Sequence, residues 1–388
     1  MRKTDSVNQV MVVSAVRTPL GAFCGQLESL SEQQLAAAAM QEALRRAGIA
    51  PEMIDEVIVG TAKQTSRPSN CGRHALLLAR LPDTIPAYTV QRQSASGLQA
   101  VANGYWAIRC GDSGAILAGG TESMSQIPFE LRGARYAFAE RERTIIDAIP
   151  AQEAGAQPAE RYGAVTAAKR AERAARNYGL SPDVLAAFSG ASLGKALQAA
   201  GSGRFNEEIC AVTVKKGKKE ESFDRDELRK QAALLAEPAD GAAMCLLANP
   251  QRAAELGLPV LAEVLSVGIA AADPRTAAMA AAKAGLQALE RAGVTLGQVD
   301  VIELNETSAA ECLAVVREWD AAGGGEALAD RINPAGGALA TGNPWGAAGA
   351  VLVTRAVYAL RRRGGGIALA ALPAEGGQGM AMVMKSTG

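Results

Sequence analysis

The chain has 388 residues, 48% of them hydrophobic and 21% charged, enough for two or three domain-sized cores. Its 40 Lys+Arg balance 40 Asp+Glu, which argues against a nucleic-acid binder or a membrane anchor built on a basic surface. Aromatic residues make up 4% while glycines number 41, a composition that suits tight turns and close helix packing in an α/β protein.

In chain order, residues 1–9 are polar and lack an apolar signal core. No run approaches the ~18 apolar residues of a membrane span, so a cytoplasmic protein without membrane contact is expected. Residues 10–16 read as a short strand ending in the turn Arg17-Thr18-Pro19-Leu20-Gly21. Residues 31–47 read as an amphipathic helix, with Ser31 as N-cap and Gly48 as C-terminal stop. Val57-Ile58-Val59 is a buried strand running into Gly60. Such alternation predicts mostly parallel strands covered by helices. The lone histidine, His74, falls in a helical stretch and reads as a structural or surface residue. Any mechanism that needs a histidine base must use it.

Residues 126–236 differ in character and read as an inserted lobe, with Ala/Arg/Glu helices over 159–178. Within it, Lys215-Lys216-Gly217-Lys218-Lys219 reads as a solvated loop, the alternative being a landing site for the phosphates of a cofactor or carrier arm. Later, Ala288-Leu289-Glu290-Arg291-Ala292-Gly293-Val294 repeats Ala43-Leu44-Arg45-Arg46-Ala47-Gly48-Ile49, and Asp300 falls at the offset of Asp55. This means two similarly folded halves. The division is 1–125 with 237–265 for the first half, 126–236 for the insert and 266–388 for the second half. The six cysteines (Cys24, Cys71, Cys110, Cys210, Cys245, Cys312) are scattered without a CxxC pair, which fits a reduced protein with no structural metal.

Residues 89–100, centred on Gln93-Ser94-Ala95-Ser96-Gly97, open an Ala-rich helix. A small nucleophile-capable residue there gains from the free amides and dipole of the helix N-terminus. This stretch resembles the nucleophile loop of the thiolase family. So do Ala118-Gly119-Gly120-Thr121-Glu122, Glu303-Leu304-Asn305-Glu306, Asn333-Pro334-Ala335-Gly336-Gly337, Asn343-Pro344-Trp345-Gly346 and Gly376-Gly377-Gln378-Gly379, in the family's order. The resemblance implies a five-layered α/β/α/β/α fold of two duplicated halves with an inserted loop domain, assembled as a homodimer or homotetramer. It implies carbon–carbon bond chemistry next to a thioester, through an acyl-cysteine and coenzyme A. A histidine activates that cysteine, and a second cysteine moves a proton.

Against that pattern, Ser94 stands where the family has its nucleophilic cysteine, Asn343 where it has the histidine and Pro373 where it has the second cysteine. Asn305 matches the asparagine that helps hold an oxyanion-binding water. The connector from Asp226-Glu227-Leu228-Arg229 to Asp240-Gly241-Ala242-Ala243 is short and lacks the serine-containing stretch that packs on pantetheine, which argues against tight coenzyme A binding.

A serine hydroxyl needs a neighbouring base, and an amide cannot serve as one. Asn343 can still donate an N–H, so Asn305 and Asn343 together could hold a thioester oxygen. By resemblance, a second oxyanion site uses the backbone at Ser94 and Glu375, in the loop of Gly376, Gly377 and Gly379. Each such donor is worth ~3 kcal/mol. The candidate bases are Glu375, which replaces a glycine of the family, and Glu306. The plainer reading turns Glu375 to solvent, and makes Thr307 and Ser308 structural.

The expected function is a thiolase-like acyltransferase of a specialised biosynthetic pathway. Ser94 takes an acyl group from a coenzyme A or acyl carrier protein thioester, with no permanently bound cofactor and no metal. An amine or alcohol acceptor, or a decarboxylating donor, needs the least base chemistry. Three alternatives stand: an inactive thiolase-like subunit supporting an active partner, a binding module for an acyl carrier, and a cysteine replaced to trap a complex. That last needs one change, whereas Asn343 and Pro373 differ as well.

Overall fold

The computed structural model describes residues 9–66, 68–133, 144–217, 219–325 and 328–386. Residues 1–8 of the polar N-terminal stretch and Lys218 of the lysine cluster lie outside them.

One continuous sheet crosses the molecule, and most of its pairings are antiparallel, not parallel as the alternation predicts; the parallel pairs are confined to the two edges. From edge to edge it runs Val301–Leu304, Gly366–Ala374, Gln378–Ser386, Ala262–Ala271, Met11–Arg17, Ala239–Ala248, Ala115–Ser123, Glu56–Gly60 and Ala87–Val90, with Gly21–Ala22 beside Ala239–Ala248. The sheet narrows at its centre, where Met11 and Val12 pair with Glu263 and Ala262. It is therefore two half-sheets joined at a short seam. Ala262–Ala271 pairs along its length with Gln378–Ser386.

Between the half-sheets lie two helices, Ser96–Cys110 and Trp345–Arg363, whose apolar faces share one core with strands of both halves. Helices Glu32–Ala47 and Cys71–Leu78 cover the outer face of the first half-sheet, and Ala278–Ala292 with Ala309–Trp319 cover that of the second. This is the five-layered α/β/α/β/α arrangement. The central helices touch through their first turns: a Cβ on Gly97 would stand 2.6 Å from the Gly346 carbonyl oxygen. Only glycine permits that approach.

The repeat holds at atomic detail. Gly48 (φ 70°) and Gly293 (φ 66°) end their helices in the left-handed conformation, each donating back to carbonyls of the last turn. Asp55 and Asp300 then do the same job in each half. The Asp55 Oδ2 accepts from the Ala115 amide at 2.9 Å, and the Asp300 Oδ2 from the Ile367 amide at 2.9 Å. Each aspartate so fixes the start of the neighbouring parallel strand.

The intervening segment differs from the sequence reading in two places. The run 159–178 is not continuous: Ala159–Tyr162 stops at Gly163 (φ 70°), and Ala167–Asn177 starts afresh with the Thr166 side chain accepting from the Lys169 amide. The lysine cluster is not a loop but a hairpin, Val212–Lys216 paired with Lys219–Phe223. The segment is anchored to the first half by Arg17, fully buried, which donates to Asp226 at 2.7 Å and Glu208 at 2.8 Å. Burial works against the guanidinium charge, but these two carboxylates outweigh it and hold it above its ordinary value.

Candidate active site

Ser94 lies four residues beyond strand Ala87–Val90 and two before helix Ser96–Cys110. The preceding residue, Gln93, adopts φ 49°, uncommon for a non-glycine residue, and this turn aims Ser94 inward. Asn343 stands two residues before the other central helix, Trp345–Arg363. The first turns of those helices touch at Gly97 and Gly346, and the N-terminus of each carries a partial positive charge that favours an anion. Asn305 follows strand Val301–Leu304 and Glu375 follows strand Gly366–Ala374. These strands are parallel neighbours, so both residues leave the same end of the second half-sheet. Such carboxyl ends of parallel strands are where α/β folds place ligands.

The closest contact is between Ser94 and Glu375. The Ser94 hydroxyl donates to Oε2 of Glu375 at 2.7 Å, with both residues buried. Glu375 is 8% exposed, so it does not face solvent. Its Oε2 also receives the Ser94 amide at 3.3 Å. This corrects the expectation of a free backbone donor at Ser94: the amide already holds a carboxylate.

Asn305 and Asn343 are buried, at 4% and 6% exposure, and their side chains leave atoms without a hydrogen-bond partner: Nδ2 of Asn305 and Oδ1 of Asn343. Buried polar atoms left unpaired are costly, so each of these two wants a partner that the folded chain does not supply. Glu306 is committed elsewhere. Its Oε1 accepts from Asn333 at 2.7 Å, and its Oε2 from Ser192 at 2.7 Å and from the Leu339 amide at 3.0 Å. Thr307 and Ser308 both donate to Glu311, and Ser308 caps helix Ala309–Trp319. His74 is exposed on helix Cys71–Leu78, and Pro373 sits in strand Gly366–Ala374 opposite Gly379. Gly376 and Gly377 both have φ 76°, and a Cβ on Gly379 would collide with the backbone of Ala280 at 2.3 Å. The terminal loop therefore needs its glycines for shape.

Arg170 carried no sign in the sequence, and Glu122 and Gln93 fall inside the motifs without a role assigned to them there. Arg170, from helix Ala167–Asn177, is buried with a nitrogen 4.0 Å from Oε1 of Glu375, 3.2 Å from Glu311 and 3.5 Å from Glu153. Burial opposes its charge, and the three carboxylates together more than offset that. A further carboxylate, Glu122, binds the Ala62 amide at 2.8 Å and the Gly346 amide at 2.9 Å. It ties the strand end at Gly60 to the start of the second central helix. Burial pushes it up to about 8. Gln93 also lines a surface cavity of about 440 Å3 with Lys63, Gln91 and Gln152, next in the chain to Ser94. Among the described residues no group of His, Cys, Asp or Glu is placed to hold a metal ion. No helix among them is long and apolar enough to cross a membrane.

The sequence matches two family models, Thiolase, N-terminal domain over residues 10–248 and Thiolase, C-terminal domain over residues 258–386. An acetyl-CoA acetyltransferase of Pseudomonas aeruginosa is 36% identical over 402 residues, covering 97% of this chain and 99% of the relative. A 3-oxoadipyl-CoA/3-oxo-5,6-dehydrosuberyl-CoA thiolase of Escherichia coli is 34% identical, covering 98% and 100%. Among solved structures, the Bacillus anthracis acetyl-CoA acetyltransferase superposes with a TM-score of 0.91 at 30% identity, covering 98% of this chain and 99% of that one. Human mitochondrial 3-ketoacyl-CoA thiolase in complex with CoA gives 0.90 at 29%, with the same coverage.

Proposed function

The chain belongs to the thiolase family, and on that footing we propose that it is an acyltransferase in which a Ser94–Glu375 pair does the work of the family's cysteine and histidine. The observation that carries this reading is the buried 2.7 Å hydrogen bond from the serine hydroxyl to the carboxylate. A serine so paired has its base within proton-transfer distance.

The steps follow from the groups present. Ser94 Oγ attacks the thioester carbonyl while its proton passes to Glu375. The carbonyl oxygen gains a full negative charge and is received by the unpartnered Nδ2–H of Asn305; Asn343, whose unpaired atom is the acceptor Oδ1, joins it only with its carboxamide turned so that Nδ2–H faces the same oxygen. Glu375 returns the proton to the departing thiolate, leaving an acyl-serine ester and a free thiol. An amine or alcohol then attacks the ester, gives its proton to Glu375 and takes the acyl group, and the proton restores the serine. A donor thioester of coenzyme A or of a carrier-bound phosphopantetheine satisfies these steps. Pro373 offers no proton, which disfavours a carbon nucleophile deprotonated in place. A homo-oligomer and a place in a specialised biosynthetic pathway belong to this reading.

A second reading, a subunit that keeps the fold but supports an active partner, draws on two observations. Ser94 is 0% exposed, and its amide is taken by Glu375. One experiment separates them. The protein is mixed with acetyl-CoA, longer acyl-CoAs and acyl-pantetheine, and its peptides are weighed. The acyltransferase reading expects an acyl mass increment on the peptide bearing Ser94, absent in Ser94→Ala. No increment from any donor favours the supporting subunit.

A further inference from the structure

Glu375 is one of three carboxylates gathered on a single buried guanidinium. Arg170 reaches Glu311 at 3.2 Å, Glu153 at 3.5 Å and Glu375 at 4.0 Å. Each comes from a different part of the chain: Arg170 and Glu153 from helices Ala167–Asn177 and Ala148–Ala154 of the intervening segment, Glu311 from helix Ala309–Trp319, and Glu375 from the terminal loop. One positive charge thus faces three negative ones. Thr307 and Ser308 donate to Glu311, and the Ala167 amide donates to Glu153, so those two carboxylates have hydrogen bonds of their own. Among the described residues, Glu375 has only Ser94 and the distant edge of the guanidinium.

Resting on the acyltransferase reading, we propose that Arg170 is a positioning residue for Glu375. It stands beside Oε1 of Glu375 while Oε2 faces Ser94, and because the same guanidinium is shared with Glu311 and Glu153, it leaves Glu375 able to accept the serine proton. A bidentate Arg–Glu375 pair would have stabilised the ionised carboxylate and weakened it as a base. At 4.0 Å the guanidinium stands beside Oε1 without forming that bidentate pair. It also makes the intervening segment part of the reaction machinery: that segment must be folded onto the second half before Ser94 is activated.

The charged groups facing Glu375 are Arg170, Glu311 and Glu153, and the proposal assigns opposite effects to them. Removing the cation in Arg170→Met makes Glu375 ionise less readily, so the alkaline-rising limb of Ser94 reactivity moves to higher pH. Neutralising the competitor in Glu311→Gln gives Arg170 more fully to Glu375, so the limb moves to lower pH and the plateau rate falls. Arg170→Lys keeps the charge and restores most of the wild-type limb. A lesion that merely loosens the fold moves no limb in opposite senses.

The test uses a fluorophosphonate, which any activated serine attacks with loss of fluoride while the base takes the hydroxyl proton. It needs no thioester, so it separates this proposal from the functional reading. The rate of Ser94 labelling is measured in the wild type and the three variants over the whole pH range, acid side included, in which melting curves show each of them folded. The expected result is a limb displaced by about one pH unit upward in Arg170→Met and downward in Glu311→Gln, close to wild type in Arg170→Lys. Coincident limbs, displacements in one direction, or no labelling of wild-type Ser94 would each overturn the proposal. Labelling with the expected displacements but no acylation by any thioester would leave it standing and remove the functional reading instead.

Discussion

At the scale of single residues, the account rests on a hydroxyl, a carboxylate and two carboxamides. Glu375→Gln keeps the shape of the side chain and loses the proton acceptor. Acylation of Ser94 should then fall by about 10²–10⁴, read as thiol release in a single turnover. Asn305→Ala removes an amide whose Nδ2 has no partner in the folded protein, so it should cost stability little and acylation about 10²-fold or more. A change in melting temperature as large as the change in rate would mean that Asn305 is structural. The loops that carry Ser94 and Glu375 were legible because short motifs in a fixed order mark them, and the two residues meet at 2.7 Å. Arg170 was not. It sits in an Ala/Arg/Glu helix like many others, and only the folding of one segment onto another brings it to Glu375. The occupied Ser94 amide was equally invisible, since nothing in a sequence says where a gained side chain will fold back.

At the scale of elements, the site is set by how closely the two central helices meet. A Cβ at position 97 would stand 2.6 Å from the Gly346 carbonyl and 3.1 Å from the Ala350 amide, both backbone atoms that cannot turn aside. Gly97→Ala should therefore destabilise by about 1–3 kcal/mol and also slow acylation, since Ser94 is three residues away. Gly190, inside helix Pro182–Gly201, has nothing within 4 Å of an added methyl, and Gly190→Ala should stabilise by ~0.5–1 kcal/mol with acylation unchanged. Denaturant melts of the two variants check the contrast, and equal effects would contradict it. Periodicity and caps located the helix Glu32–Ala47 and its stop at Gly48, and the repeated Asp at 55 and 300 marked the two strand starts that it holds. The break at Gly163 and the lysine hairpin carry no such mark. A helix interrupted for one turn keeps its composition, and alternation in so polar a strand resembles a loop.

At the scale of the whole molecule, several buried carboxyls prefer to be neutral. Burial pushes Glu122 up to about 8, Glu303 to about 7 and Asp240 to about 6. In the unfolded chain such groups ionise near pH ~4. The folded state therefore binds more protons between that value and the raised ones, and its stability is lost as pH rises through them. Melting temperature should fall from pH ~5 to ~8.5, and Glu122→Gln should flatten the upper part of that slope. A melting temperature that climbs over the same interval would contradict the assignment. The most direct measurement of the central claim is thiol release on rapid mixing with an acyl-CoA, for wild type, Glu375→Gln and Ser94→Ala side by side. The account predicts one thiol released per Ser94 in the wild type, a release at least a hundredfold slower in Glu375→Gln, and none in Ser94→Ala. Equal release from all three would contradict it.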